Sequence, residues 1–206
     1  NSLISLSARD FGENCQFDPA NLERNVTLDG SPLPAWARYP AGVIWNLFRY
    51  GYPVPGFKAE YQSNIPIGAG LSSSAAVEVG FAVVCESLAN WKLERMTLAR
   101  ICQEAEQEYV GVKCGLMDQF TCACGVADHV LMLDTRSQAY HSLQLPPDTT
   151  LVIADSGLRR SLVDSAYNDR RHDCEVAVEY FHNLNPLVKS LRDVTLEEFL
   201  SAEDKL

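Results

Sequence analysis

Residues 64–76 read NIPIGAGLSSSAA. Three small residues, Gly68, Ala69 and Gly70, lead through Leu71 into three consecutive serines, Ser72, Ser73 and Ser74. The run FKAEYQSNI before them reads as a strand, and an apolar helical stretch follows at once (Ala75, Ala76, Val77, Val79, Val83, Val84, Leu88). A helix N-terminus presents unpaired backbone N–H groups and about half a positive charge. Small residues let an anion approach that backbone closely. Serine hydroxyls add hydrogen-bond donors, or reach a cation that phosphates hold. The chemistry this run suits is the cradling of nucleotide phosphates. It is not a Walker A loop, because no Gly-Lys-Ser/Thr occurs, and the dinucleotide fingerprint is incomplete, with Ser73 at the third glycine position. A serine-capped helix start is the competing reading, and residue chemistry alone leaves both open.

A second chemical candidate is Asp118, in GLMDQF. Gly115 breaks the chain there, and a short helix over Leu116–Cys124 places the carboxylate at a helix N-terminus, which favours its charged form. It is suited to accept a proton or to cap the helix. Glu104, Glu106 and Glu108 in EAEQE are chemically equivalent candidates for a hard cation.

These residues need elements to hold them. Short strands are expected at SLISLSAR and VTLDG, and a strand over 57–65. Trp36, Tyr39, Val43, Leu47 and Tyr50 recur at helical spacing and predict a helix over 35–50, stopped by Gly51, Pro53 and Pro55. Ser72–Asn90 is the long helix after the loop, and Thr97–Tyr109 a second with Thr97 as N-cap. VLMLDT and HSLQL read as strands joined by a polar turn, LVIADS as a strand, and 162–183 as a helix. This mixed order predicts an α+β fold rather than a doubly wound sheet. Pro146-Pro147 is the linker candidate, giving domains over 1–145 and 146–206.

Bulk properties set limits. The 206 residues are 47% hydrophobic and 21% charged, enough for a packed core. A net charge of −10 argues against nucleic acid or an anionic membrane as partner. The 7 cysteines include Cys114, Cys122 and Cys124 near His129, but no Cys-x-x-Cys pair, so buried thiols are expected rather than a zinc site. No signal peptide or membrane-length apolar run is present, and the cytoplasm is the default location.

Three segments carry a resemblance. PIGAGLSSSAA resembles the second motif of the GHMP small-molecule kinases, a Pro-x-x-x-Gly-Leu-Ser-Ser-Ser-Ala loop that binds ATP. GVKCGLMDQF (111–120) is similar to the stretch around the catalytic aspartate of the galactokinases within that superfamily. DSGLRRSLVDSAYNDRR (155–171) resembles their segment carrying a sugar-contacting tyrosine, and AWARYPAGV (35–43) their Trp-Ala-x-Tyr-x-x-Gly helix. The resemblance implies a two-domain GHMP-kinase-like fold and phosphoryl transfer from ATP to the anomeric hydroxyl of galactose, giving galactose 1-phosphate. It implies ATP on Gly68–Ser74 with Trp36 near the adenine, and Mg²⁺ at Ser74 and Glu106, selecting Glu106 from its neighbours. Asp118 is then catalytic, with Gly115, Asp118 and Tyr167 around the sugar. Arg159, Arg160, Arg170 and Arg171 either neutralise phosphate or pair with Asp164, Asp169 and Asp173.

The family's first motif, Arg-x-Asn-x-Ile-Gly-Glu-His-Thr-Asp, and its C-terminal glycine-rich motif have no counterpart here. That implies an incomplete, inactive piece with exposed sheet edges prone to self-association. Two alternatives stay open: a catalytically inactive sugar- or ATP-binding regulator, and a kinase for arabinose or N-acetylgalactosamine.

Overall fold

The computed structural model describes residues 3–155 and 166–203. The chain divides into two compact units, Asn1–Val163 and Asp164–Leu206.

The first unit is built on a three-stranded sheet of order β2-β1-β3. β1 (Ile4–Ala8) alternates, with Ile4, Leu6 and Ala8 buried, as a half-buried strand must. It pairs antiparallel with β2 (Glu13–Phe17), which buries Cys15 and Phe17, and parallel with β3 (Lys58–Tyr61). Onto the core face pack α1 (Ala35–Arg49), α2 (Ser73–Ala89) and α3 (Arg95–Ala105). The stripe Ala37, Ala41, Ile44 and Leu47 of α1 is fully buried, in keeping with its spacing of three and four.

A π-helical turn, Glu106–Val110, continues α3 and ends at Gly111. Then α4 (Met117–Cys124) follows, and its Phe120, with Leu116 just before it, packs on Met96 and Ala99 in a second core cluster. Leu131 and Leu133 of the antiparallel pair β4 (His129–Leu133) and β5 (Tyr140–Gln144) cover that cluster. The second unit holds α5 (Ala166–Leu184) and α6 (Leu196–Ala202) around Phe181, Val188 and Ala202. Thr195 and Glu198 form a capping box at α6.

Four expectations change. VTLDG is not a strand: Thr27, Asp29 and Ser31 hydrogen-bond one another into a tight turn, leaving one isolated bridge, Val26 to Pro32. The second strand is ENCQF instead. The strand expected over 57–65 is shortened to β3, because its partner β1 ends at Ala8, opposite Tyr61, and the Ser63 N–H turns instead to the Asp10 carboxylate. The N-cap of α3 is Glu94, whose carboxylate accepts from Met96 and Thr97 N–H at 3.0 and 2.9 Å, so the helix begins two residues before Thr97. Residues 151–155 form no strand, and Leu151, Val152 and Ile153 are exposed. An apolar run becomes a strand only where a neighbour completes its hydrogen bonds. The expected start of the last long helix at 162, and Arg159, Arg160 and Asp164, lie outside the described residues. Among the described residues no helix is long and apolar enough to cross a membrane.

Candidate active site

After β3 the chain runs without regular structure to the start of α2. Gly68 and Gly70 have φ of 70° and 72°, and Ser72 has φ 58° and ψ 32°. This left-handed backbone is comfortable for glycine and costly for other residues. Ser72 is the residue before α2, yet its side chain makes no capping hydrogen bond. The reading of the serines as a helix cap therefore fails at Ser72, and the first-turn amides of α2 are not closed off by it. The loop is partly exposed, with Ile67 and Leu71 facing outward.

Ser74, two positions on, turns inward. Its hydroxyl approaches the Glu106 carboxylate, as do the Cys114 thiol and the Gln119 amide. Glu106 is only 3% exposed. Burial pushes its carboxyl above the usual range, the polar groups of Cys114, Gln119 and Ser74 pull it back, and the charge of Asp118 pushes it up again.

The π-turn explains how an acid comes to lie there. Gly111 and Val112 N–H both donate to the Glu106 carbonyl, at 2.9 and 3.1 Å. Arg38 of α1 donates to the Tyr109 and Val110 carbonyls, each at 3.0 Å, and so holds the end of the turn. Tyr109 donates to the Leu22 carbonyl at 2.8 Å and lies so close to α1 that a Cβ on Gly42 would come within 3.1 Å of its ring. Single π-turns inside helices are frequent at functional sites.

Two further residues belong to this site. Glu78 lies four residues after Ser74 on α2 and is 0% exposed. Gln119 of α4, also 0% exposed, donates from Nε2 to Glu78 Oε2 at 2.9 Å and to Glu106 Oε2 at 2.5 Å. Burial, and then the Glu106 charge, raise the Glu78 carboxyl well above its usual range. Glu78 Oε1 and Gln119 Oε1 are buried with no hydrogen-bond partner among the described residues. The sequence pattern alone singles out neither residue. The signal for Glu78 was an acid on the buried stripe Ala75, Val79 and Ala82 of α2.

Asp118 stands beside Gln119 in the first turn of α4, partly exposed, and near enough that its charge raises both buried glutamates. Among the described residues no atom lies within 4 Å of a Cβ placed on Gly115. Trp36 sits in the core: it is 8% exposed, donates to Glu13 Oε2 at 2.6 Å, and stacks on Phe11 at 6.4 Å between centroids. Tyr167 is 49% exposed on the first turn of α5, in the second unit. Of the arginines, Arg170 pairs with Asp173 and Arg171 with Glu175, both on the surface.

The donor set fits a hard divalent cation. Such an ion keeps several waters and needs only one or two protein oxygens, which Ser74 Oγ and the Glu106 carboxylate supply. Among the described residues no group of three or more His, Cys, Asp and Glu is arranged to hold a metal.

Comparison with known proteins gives concordant results. Residues 38–126 match the GHMP kinases N terminal domain. The galactokinase of Halalkalibacterium halodurans is 38% identical over 203 residues, covering 96% of this chain and 51% of that protein. That of Roseiflexus sp. is 39% identical over 204 residues, covering 99% and 50%. The chain therefore spans about half the length of the curated relatives it matches. The crystal structure of Lactococcus lactis galactokinase complexed with galactose superposes with a TM-score of 0.83 at 26% identity, over 99% of this chain and 52% of that one. A mevalonate kinase crystal structure shares the fold, with a TM-score of 0.55 at 22% identity over 70% of this chain and 43% of that one.

Proposed function

We propose that this chain, which belongs to the GHMP kinase family, carries the phosphate-binding and catalytic part of a galactokinase. The whole protein would transfer the γ-phosphoryl group of ATP to the anomeric hydroxyl of galactose. Supporting this reading is one observation above the rest. Ser74 of the loop helix approaches Glu106 of the π-turn, and Glu106 accepts a hydrogen bond from Gln119, the neighbour of Asp118. On this reading phosphate loop, metal-side carboxylate and candidate base belong to a single site.

In this proposal backbone N–H groups of Gly68–Ser74 hold the phosphates, and Ser74 with Glu106 would hold Mg²⁺. That ion, when bound, offsets phosphate charge. Asp118 orients the anomeric hydroxyl and accepts its proton as the new O–P bond forms, the β–γ bridging O–P bond breaks and ADP leaves. Tyr167 and Gly115 are each assigned to the sugar, and Trp36 to the adenine end. We assign residues 1–145 to the ATP-binding domain and 146–206 to the start of the next, a boundary at Pro146-Pro147 that precedes the division between the two compact units. A cytoplasmic location, and association between copies through the outer strands β2 and β3, complete the proposal.

The test is a coupled ADP-release assay on the full-length protein with galactose, other aldoses, mevalonate and homoserine. Turnover with galactose is expected. Turnover with mevalonate or homoserine and with no aldose would move the protein elsewhere in the family. Sugar binding without turnover would favour the regulatory role.

A further inference from the structure

We propose that Glu78 and Gln119 are positioning residues, a buried clamp that sets the Glu106 carboxylate and the Asp118 side chain in one fixed relation to the phosphate loop. The inference rests on the functional reading above and extends it to two residues with no expected contact to substrate.

The geometry carries it. The Gln119 amide donates from Nε2 to two carboxylates at once, to Glu78 Oε2 at 2.9 Å and to Glu106 Oε2 at 2.5 Å. Ser74 also approaches Glu106, and Ser74 and Glu78 stand one turn apart on the same face of α2. The two bonds of Gln119 tie together α2, the π-turn and α4, three separate stretches of the sequence. Fixing Gln119 inside the core also fixes the first turn of α4, so that Asp118, about 100° round the helix, faces the open side.

Packing alone does not account for these residue types. A leucine or methionine would fill the same volume without the penalty of burying acids. A network kept only for stability would also satisfy its members, whereas Glu78 Oε1 and Gln119 Oε1 have no partner among the described residues. Groups that orient metal-binding side chains from behind are the setting in which such expense is usual.

The test uses the full-length protein and Gln119→Met, Glu78→Met and Glu78→Gln. Binding of Mn²⁺ in the presence of a non-hydrolysable ATP analogue is read by electron paramagnetic resonance, alongside kcat and the sugar KM. Both methionine variants are expected to weaken Mn²⁺ binding about 10- to 100-fold and to lower kcat, with the sugar KM within about twofold. Glu78→Gln, which keeps an acceptor oxygen, should recover most of the loss. If the methionine variants do not fold, Gln119→Asn and Glu78→Asp shorten the arms while keeping polarity, and should show the same loss in smaller measure. Mn²⁺ affinity and kcat like wild type in the folded variants, even with a lower Tm, would overturn the clamp. Glu106→Ala separates the two levels. If it weakens Mn²⁺ binding while the clamp variants do not, the clamp alone falls. If Glu106→Ala itself leaves binding unchanged, the metal reading falls and the clamp with it.

Discussion

The loop Gly68–Ser74 and the buried set Glu78, Glu106 and Gln119 build adjoining parts of one site by opposite means. The loop is seven contiguous residues, partly exposed, and its working groups are backbone amides shaped by left-handed residues. The buried set comes from three elements, with Glu78 and Gln119 separated by 41 positions, and its working groups are side chains with almost no exposure. A backbone site tolerates changes of side chain and fails when its dihedral angles are disturbed. A side-chain site tolerates dihedral change elsewhere and fails with the loss of one atom. The following predictions probe that contrast in the full-length protein.

The largest effect is expected from Asp118→Asn, which keeps shape and removes the charge. Turnover should fall ~100- to 10,000-fold. ATP affinity, measured by calorimetry on the same preparation, should stay close to wild type, since the phosphates rest on the loop. Glu106→Ala comes next: the Mg²⁺ needed for half-maximal turnover should rise about 10- to 100-fold, with Ser74→Ala giving a smaller shift in the same direction. A magnesium titration unchanged in both variants would remove them from the metal site.

Gly70→Ala tests the backbone half. No atom of the described residues stands within 4 Å of the added Cβ, so a loss is expected from its φ of +72° rather than from crowding. The strain is about 1–2 kcal/mol, or roughly 5- to 30-fold in ATP affinity if it falls on the bound loop. Ser72→Gly, at φ 58°, should cost nothing in ATP affinity. Equal losses from both would mean that loop side chains matter more than its dihedral angles. Tyr167→Phe is the smallest change: about 0.5–1.5 kcal/mol in the sugar KM and less in that for ATP.

The same contrast governs what the sequence made legible. The loop, α1, α2 and α4 lie where periodicity, small residues and helix stops place them. Asp118 and Glu106 were reached through the resemblance, since chemistry alone could not choose Glu106 over Glu104 and Glu108. Glu104 in fact serves as acceptor for Tyr50 and Asn46, and Glu108 pairs with Arg49. The π-turn left no trace in the pattern, because one extra residue in a turn hardly changes the spacing of apolar positions. LVIADS and VTLDG misled because strand composition is local while strand pairing is not. Gln119 was unreadable for the same reason: its importance lies in two partners on other elements.

The central claim is that loop and buried set form one ATP phosphate site, and amide hydrogen exchange of the full-length protein with and without Mg²⁺ and a non-hydrolysable ATP analogue tests it most directly. Slowed exchange is expected in peptides covering Gly68–Ala76 and, together with them, in those covering Glu104–Phe120, while peptides from the later turns of α5 stay unchanged. Protection elsewhere with none at Gly68–Ala76 would contradict the account.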